Sequence, residues 1–109
     1  MTVSQVLQQF TEKMEADPQH IESLTYTYEF HITDEDSTYQ LKIDQGAADY
    51  AEGTPWEPKL VLEMSREYFQ KLAEDDLNAT MAYMSGKLKV KGDVSHALKF
   101  QSLLKKYQQ

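Results

Sequence analysis

The chain has 109 residues, 40% of them hydrophobic and 27% charged, which predicts a folded single domain over residues 1–109. It contains no cysteine, which excludes disulfides, thiolate nucleophiles and cysteine-based zinc sites. Its net charge of −7 argues against a general nucleic-acid binder, because that role requires a basic surface. No apolar run approaches the ~20 residues of a membrane span and no signal-peptide charge pattern is present, so we expect a soluble, cytoplasmic domain.

The first segment predicts an amphipathic helix that ends near Asp17. Its apolar residues recur at spacings of three and four, which places them on one helix face. Thr2 and Gln5 have the spacing of a capping box, and Pro18 stops the helix. The apolar residues of this face are Val3, Val6, Leu7, Phe10 and Met14.

The middle of the chain changes to a two-residue period, which is typical of half-buried strands. Residues 24–32 and 39–43 predict two strands of a hairpin, joined by an acidic turn at residues 34–37. Residues 47–52 predict a short third strand. After a loop with two prolines, the apolar run at residues 60–64 predicts a central strand.

Three further helices and one strand complete the predicted chain. Ser65, Asn78 and Asp93 are expected to be the N-caps of these helices. Residues 87–91 predict a strand between the last two. In the middle helix the side chains expected to point inward are Met81, Ala82 and Met84. The element order predicts an α+β fold with a largely antiparallel five-stranded sheet covered by helices.

One acidic string suggests a phosphatase. Residues 34–38 match a DxDxT signature that resembles the nucleophile loop of haloacid-dehalogenase-type phosphatases, and Lys71 with Asp75 and Asp76 mimics later motifs of that family. That chemistry requires a parallel sheet in which the loop leads into a crossover helix. A second strand begins at Tyr39 instead, so we favour a solvent-exposed turn.

The remaining polar residues do not form a pattern of catalysis or metal binding. A calcium loop fails because Tyr39 and Gln45 occupy the positions that require glycine and glutamate. His20, His31 and His96 are scattered without a zinc-site spacing, and His31 is expected to be an ordinary exposed side chain. We therefore expect no metal, no cofactor and no enzymatic activity.

Basic and apolar residues are concentrated toward the C-terminus. Residues 1–58 contain 12 acidic and 2 basic residues, a balance of −10, whereas residues 59–109 contain 6 acidic and 9 basic residues, a balance of +3. The last forty residues also carry a surplus of aromatic, leucine and methionine side chains. These residues form either a filled core or the lining of a cavity, and composition does not separate the two.

A strong resemblance to the sterol carrier protein 2 family is found in residues 77–93, which read LNATMAYMSGKLKVKGD. The signature run of that family is LNP-x-x-A-[FY]-x-x-GK-[LIV]-x-[LIV]-x-G-[DN]. A lysine-bearing amphipathic helix follows in both. Residues 39–46 and 65–69 also resemble family segments. The chain departs from the family at Ala79, where the family has proline, and at Tyr39, where it has tryptophan. Its first helix is acidic, whereas the animal proteins are described as docking to membranes through a basic first helix.

The resemblance implies a complete, free-standing, non-catalytic carrier domain with an apolar tunnel closed by the last helix. Its implied ligand is a fatty acid, fatty acyl-CoA, phospholipid or sterol-like molecule. The expected lining residues are Phe69, Leu72, Met81, Met84, Leu98, Phe100 and Leu104. Lys87, Lys89 and Lys91 either contact an anionic headgroup or protect a sheet edge, and we favour the second interpretation.

The expected partners are therefore a small-molecule lipid or acyl-CoA and, transiently, a membrane surface, with the chain a monomer or weak homodimer. The main alternative is a structural or dimerisation domain whose core is filled. A DxDxT-type phosphohydrolase is the less favoured alternative.

Overall fold

A computed structural model describes residues 2–107, and its elements follow the predicted order. The helices are α1 (Val3–Ala16), α2 (Arg66–Ala73), α3 (Ala79–Met84) and α4 (Val94–Lys105). The strands are β1 (Thr25–Ile32), β2 (Ser37–Asp44), β3 (Ala47–Glu52), β4 (Leu60–Met64) and β5 (Lys89–Gly92). A short 3-10 turn, Pro18–His20, follows α1.

The start of α1 confirms the predicted capping box. The Gln5 backbone N–H donates to Thr2 Oγ1 over 3.1 Å, and the Thr2 backbone N–H donates to Gln5 Oε1 over 2.8 Å. Two backbone donors that the helix leaves without an internal partner are thereby satisfied. The predicted apolar face of α1 is buried.

The five strands have the order β3-β2-β1-β4-β5, and the sheet is mixed. The prediction of a largely antiparallel sheet is wrong at its centre, because β1 and β4 are parallel. The reason is the path of residues 53–58, which return across the polar face of the sheet. Gln40 holds this return: its Oε1 accepts from the Trp56 backbone N–H, and its Nε2 donates to the Trp56 carbonyl, both over 2.9 Å.

The core lies between one face of this sheet and the helices. Tyr28 and Phe30 of β1 are completely buried on that face. The Phe30 ring meets Phe69 of α2 edge to face at 5.4 Å, and the Tyr28 ring stacks on Phe100 of α4 at 4.1 Å. These aromatic pairs fix α2 and α4 to neighbouring parts of the central strand.

The acidic string at residues 34–38 lies at a hairpin turn, because β1 leads directly into antiparallel β2. Asp34 Oδ1 accepts from the Arg66 backbone N–H over 2.9 Å at the start of α2. Lys71 Nζ lies 5.2 Å from the Tyr68 ring centroid, and Asp75 pairs with Lys105. The crossover helix that the phosphatase alternative requires after β1 is replaced by a hairpin.

Candidate functional site

A pocket of about 450 Å³ lies between α4, the 3-10 turn and the start of β1. This volume is within the range of small-molecule sites in proteins. We call it the α4 pocket; it is lined by His20, Ser23, Leu24, Tyr28, His96, Leu98, Lys99, Ser102, Leu103 and Lys106.

The α4 pocket combines apolar side chains with basic ones. Leu24 and Leu103 contribute hydrocarbon surface, while His20, Lys99 and Lys106 contribute basic groups. No carboxylate is among the lining side chains of the described chain. Such a pocket fits an amphiphile that has an apolar body and a negatively charged end.

Tyr28 and His96 form a polar pair in the wall of this pocket. Tyr28 Oη lies 2.7 Å from His96 Nε2, and the His96 ring stacks on Tyr26 at a centroid distance of 3.8 Å. Burial raises the pKa of the Tyr28 hydroxyl above its ordinary value and lowers the pKa of His96. At neutral pH the contact therefore joins the Tyr28 hydroxyl to Nε2 of an uncharged His96.

Asp93 occupies the predicted N-cap position of α4, but its side chain does not cap the helix backbone. Its carboxylate accepts from the Ser95 hydroxyl over 2.7 Å and from the Tyr26 hydroxyl over 3.3 Å. The Ser95 hydrogen bond is the main reason that the Asp93 pKa is below its ordinary value. Burial, together with Asp93, raises the pKa of Tyr26 to about 12.

Further hydrogen bonds connect α4 and the residues after it to distant parts of the chain. Gln101 Nε2 donates to the Leu77 carbonyl over 2.7 Å, and the Tyr107 hydroxyl donates to the Asp17 carbonyl over 2.7 Å. Together with the Tyr28–His96 contact, they hold the helix that forms one wall of the pocket.

The structure places the seven side chains predicted to line a ligand site in different surroundings. Four of them, Phe69, Leu72, Phe100 and Leu104, are buried in the hydrophobic core. Leu98 lines the α4 pocket and is 57% exposed.

The predicted inward orientation of Met81 and Met84 is wrong. Met81 is 67% exposed and Met84 is 79% exposed. The inner face of α3 is formed by Ala79 and Ala82, which are three residues apart and buried. The methionines therefore fall on the opposite side of this six-residue helix.

Lys87, Lys89 and Lys91 all lie outside the α4 pocket, and the prediction that Lys87 belongs to the strand is wrong, because β5 begins at Lys89. Lys89 and Lys91 are on a strand at the edge of the sheet. Lys91 Nζ lies 3.2 Å from Glu63 Oε1, and this hydrogen bond is the main reason that the Glu63 pKa is lowered. The placement is the one expected of edge-protecting lysines. A headgroup role for these lysines stays a prediction.

A polar cluster that no sequence pattern predicted surrounds His31 on the opposite face of the sheet. His31 Nε2 lies 2.5 Å from Glu29 Oε2, and its Nδ1 lies 3.2 Å from Glu63 Oε1. Gln40 Nε2 donates to Glu29 Oε1 over 2.7 Å. The alternation of β1 puts Glu29 and His31 on one face, but Glu63 comes from β4, more than thirty residues away. His31 is thus half-buried between two carboxylates rather than an ordinary exposed side chain.

Neither a metal cluster nor a membrane-spanning helix occurs in the described part of the chain. Residues 2–107 contain no group of three or more histidine, aspartate or glutamate side chains arranged to hold a metal ion. None of their helices combines the length and apolar character needed to cross a bilayer.

Comparison with known sequences gives one family. The sequence pattern of the SCP-2 sterol transfer family matches residues 3–105. The hydroxysteroid dehydrogenase-like protein 2 of Rattus norvegicus is 35% identical over 79 residues, which are 71% of this chain and 15% of the rat protein. The chain therefore spans less than a fifth of the length of that relative.

Comparison with solved structures gives the same fold. Sterol carrier protein 2 from Yarrowia lipolytica in its apo form has a TM-score of 0.74 and 25% identity, with 94% of this chain and 89% of that chain covered. The palmitated SCP2L2 protein of Aedes aegypti has a TM-score of 0.72 and 19% identity, with 95% of each chain covered.

Proposed function

The chain belongs to the SCP-2 sterol transfer family, and from this premise we propose that it is a non-catalytic lipid carrier domain that holds its ligand in the α4 pocket. Family membership indicates a sterol or lipid carrier. Beyond this, we propose the site of binding, the class of ligand and the absence of catalysis. Residues 1–109 are proposed to act as one such domain.

The observation that carries this proposal is the composition of the α4 pocket. An apolar surface made by Leu24, Leu98 and Leu103 lies beside basic side chains in one pocket of about 450 Å³. Burial of hydrocarbon provides the affinity, about 0.8 kcal/mol per CH₂ group. The basic side chains then select the charge of the polar end.

The ligand that fits best is a fatty acyl chain with an anionic end, such as a fatty acid or fatty acyl-CoA. Lys99 and Lys106 at the pocket provide favourable partners for a carboxylate or phosphate. The palmitated state of the Aedes aegypti protein supports an acyl occupant in this fold. Phospholipids and sterol-like molecules share the apolar body but differ in the charge of the polar end.

A structural or dimerisation role is the second candidate, and the burial of four predicted lining residues supports it. Four side chains expected to line a tunnel are instead packed in the core, with Phe100 stacked on Tyr28. An acyl chain that extends from the α4 pocket past this stacked pair requires α4 to shift away from β1. A purely structural domain needs no such shift.

The decisive experiment is lipid extraction from the purified full chain followed by mass spectrometry, together with titration of a fluorescent fatty acid. We expect a co-purified acyl lipid or saturable uptake of the probe, and palmitoyl-CoA should displace the probe. The absence of both co-purified lipid and uptake, with a stable dimer in light scattering, would favour the structural role.

Matched variants on α4 locate the site. Leu98→Asp removes apolar surface from the pocket and adds a charge that repels an anion, so probe affinity should fall at least tenfold. Val94→Asp makes the same change on an exposed residue of the same helix that does not line the pocket, and it should bind normally. A second matched pair of variants is Lys106→Glu with Lys105→Glu as its control, because Lys106 lines the pocket and Lys105 does not.

A further inference from the structure

The exposed apolar side chains of this protein are confined to one part of the chain. Within residues 2–107, every exposed large hydrophobic side chain falls between residues 81 and 98. We call this group the C-terminal apolar patch: Met81, Tyr83, Met84, Val94 and Leu98. Because the other large apolar side chains are buried or half-buried, the patch is a property of α3 and α4 rather than of the whole surface.

The two helices that carry the patch are connected to each other and to the sheet. Gln101 of α4 donates to the carbonyl of Leu77, two residues before α3. The backbone N–H groups of Lys87 and Leu88 both donate to the Ala82 carbonyl, which fixes the end of α3 to the segment that enters β5. The exposed methionines are thus held on an anchored helix, with Ala79 and Ala82 buried beneath them.

The segment that contains the patch is basic. Residues 81–106 contain six lysines and one acidic residue, Asp93. Within the described chain, Lys87 and Lys99 form no ion pair, unlike Lys91 with Glu63 and Lys105 with Asp75. Exposed apolar side chains in a segment with unpaired lysines have the composition of a surface that binds anionic lipid headgroups and inserts into the acyl boundary.

The first helix is not suited to this role. Its apolar face, from Val3 to Met14, is buried against the sheet. Its exposed side chains include Glu12 and Glu15, and the N-terminal half of the chain has a balance of −10. An anionic membrane would therefore repel this half of the protein and attract the other.

We infer that the C-terminal apolar patch is a docking surface for an anionic phospholipid membrane. Leu98 belongs to both the patch and the α4 pocket, and its neighbour Lys99 lines the same pocket. Docking through this surface brings Leu98, and with it one side of the pocket, to the bilayer, where an acyl ligand enters or leaves. This inference rests on the proposed carrier function for its purpose, but the docking itself is measurable without any ligand.

The test is co-sedimentation of the full chain with vesicles of phosphatidylcholine alone and of phosphatidylcholine with 30% phosphatidylglycerol. We expect binding to the anionic vesicles, weakened by salt, and little binding to the neutral ones. The double variant Met81→Ser with Met84→Ser should bind anionic vesicles at least tenfold more weakly. Lys87→Gln should weaken binding about fivefold, whereas the control Lys13→Gln on α1 should have no effect.

Binding of the fluorescent fatty acid in solution separates this inference from the proposed function. The methionine variant should bind the probe normally, because neither methionine lines the α4 pocket. Vesicle binding without probe uptake would refute the carrier function and leave docking intact. Equal binding of parent and methionine variant to anionic vesicles would overturn the docking surface. So would a parent dimer that the methionine variant dissociates in light scattering, because the patch would then be covered by a second copy.

Discussion

The hydroxyl of Tyr28 and Nε2 of His96 lie 2.7 Å apart, although 68 residues separate them in the sequence. The contact joins the central strand β1 to the first turns of α4, at the wall of the α4 pocket. The stability of the pocket wall is therefore coupled to the charge of one histidine.

This coupling predicts a dependence on pH. Because burial lowers the His96 pKa below 6.5, the unfolded chain takes up this proton more readily than the folded one. The contribution of His96 to stability is complete above pH 6.5 and is lost as the pH falls through the folded-state pKa. The melting temperature of His96→Gln should be lower than that of the parent at pH 7.5, but it should fall less between pH 7.5 and 5.5. His20→Gln is the control, and equal decreases in the parent and His96→Gln would contradict the coupling.

The ion pair between Lys91 and Glu63 should make a small contribution to stability. Its lysine is 64% exposed, so solvent and salt screen the attraction, and Lys91→Met should cost at most about 1 kcal/mol at pH 7. Since Lys91 lowers the Glu63 pKa, this contribution is present above pH 4.5 and is lost as the pH falls through the folded-state value. NMR titration should show a higher Glu63 pKa in Lys91→Met, and an unchanged value in Lys87→Met.

The division of α4 into a core face and an exposed face can be measured by alanine substitution. Phe100 is almost completely buried and stacks on Tyr28, so Phe100→Ala should cost about 3–5 kcal/mol in urea unfolding. Leu98→Ala on the exposed face should change stability by no more than about 0.5 kcal/mol. Similar losses in the two variants would show that α4 does not pack as described.

Gly92 is required where β5 approaches the start of β4. A Cβ atom at this position would lie 2.4 Å from the Lys59 carbonyl oxygen, and the backbone φ is +92°. Gly92→Ala should therefore cost at least about 3 kcal/mol, from strain and overpacking together. Gly53 has a similar φ of +90° with open space around it, so Gly53→Ala should cost only about 1–2 kcal/mol. Equal losses in urea unfolding would mean that the contact with Lys59 does not matter.

Local patterns in the sequence determined most of the elements of this protein. The capping box of Thr2 and Gln5 and the two-residue alternation of β1 depend on neighbours along the chain, and the structure has both. The run at residues 77–93 was sufficient to place the chain in its family, because its glycine, lysine and apolar positions are specific in combination.

Tertiary structure decided which elements meet and which face each one buries. The parallel pairing of β1 with β4 depends on the return of residues 53–58 across the sheet, held by Gln40 and Trp56. The outward direction of Met84 depends on which side of a six-residue helix packs on the core, and so short a helix has too few residues for its period to define a face. The Tyr28–His96 contact joins positions 68 residues apart, and neither residue type carries a local signal for the other. Periodicity along the chain therefore specified the secondary structure, while the pocket and the exposed patch arose only from packing between distant segments.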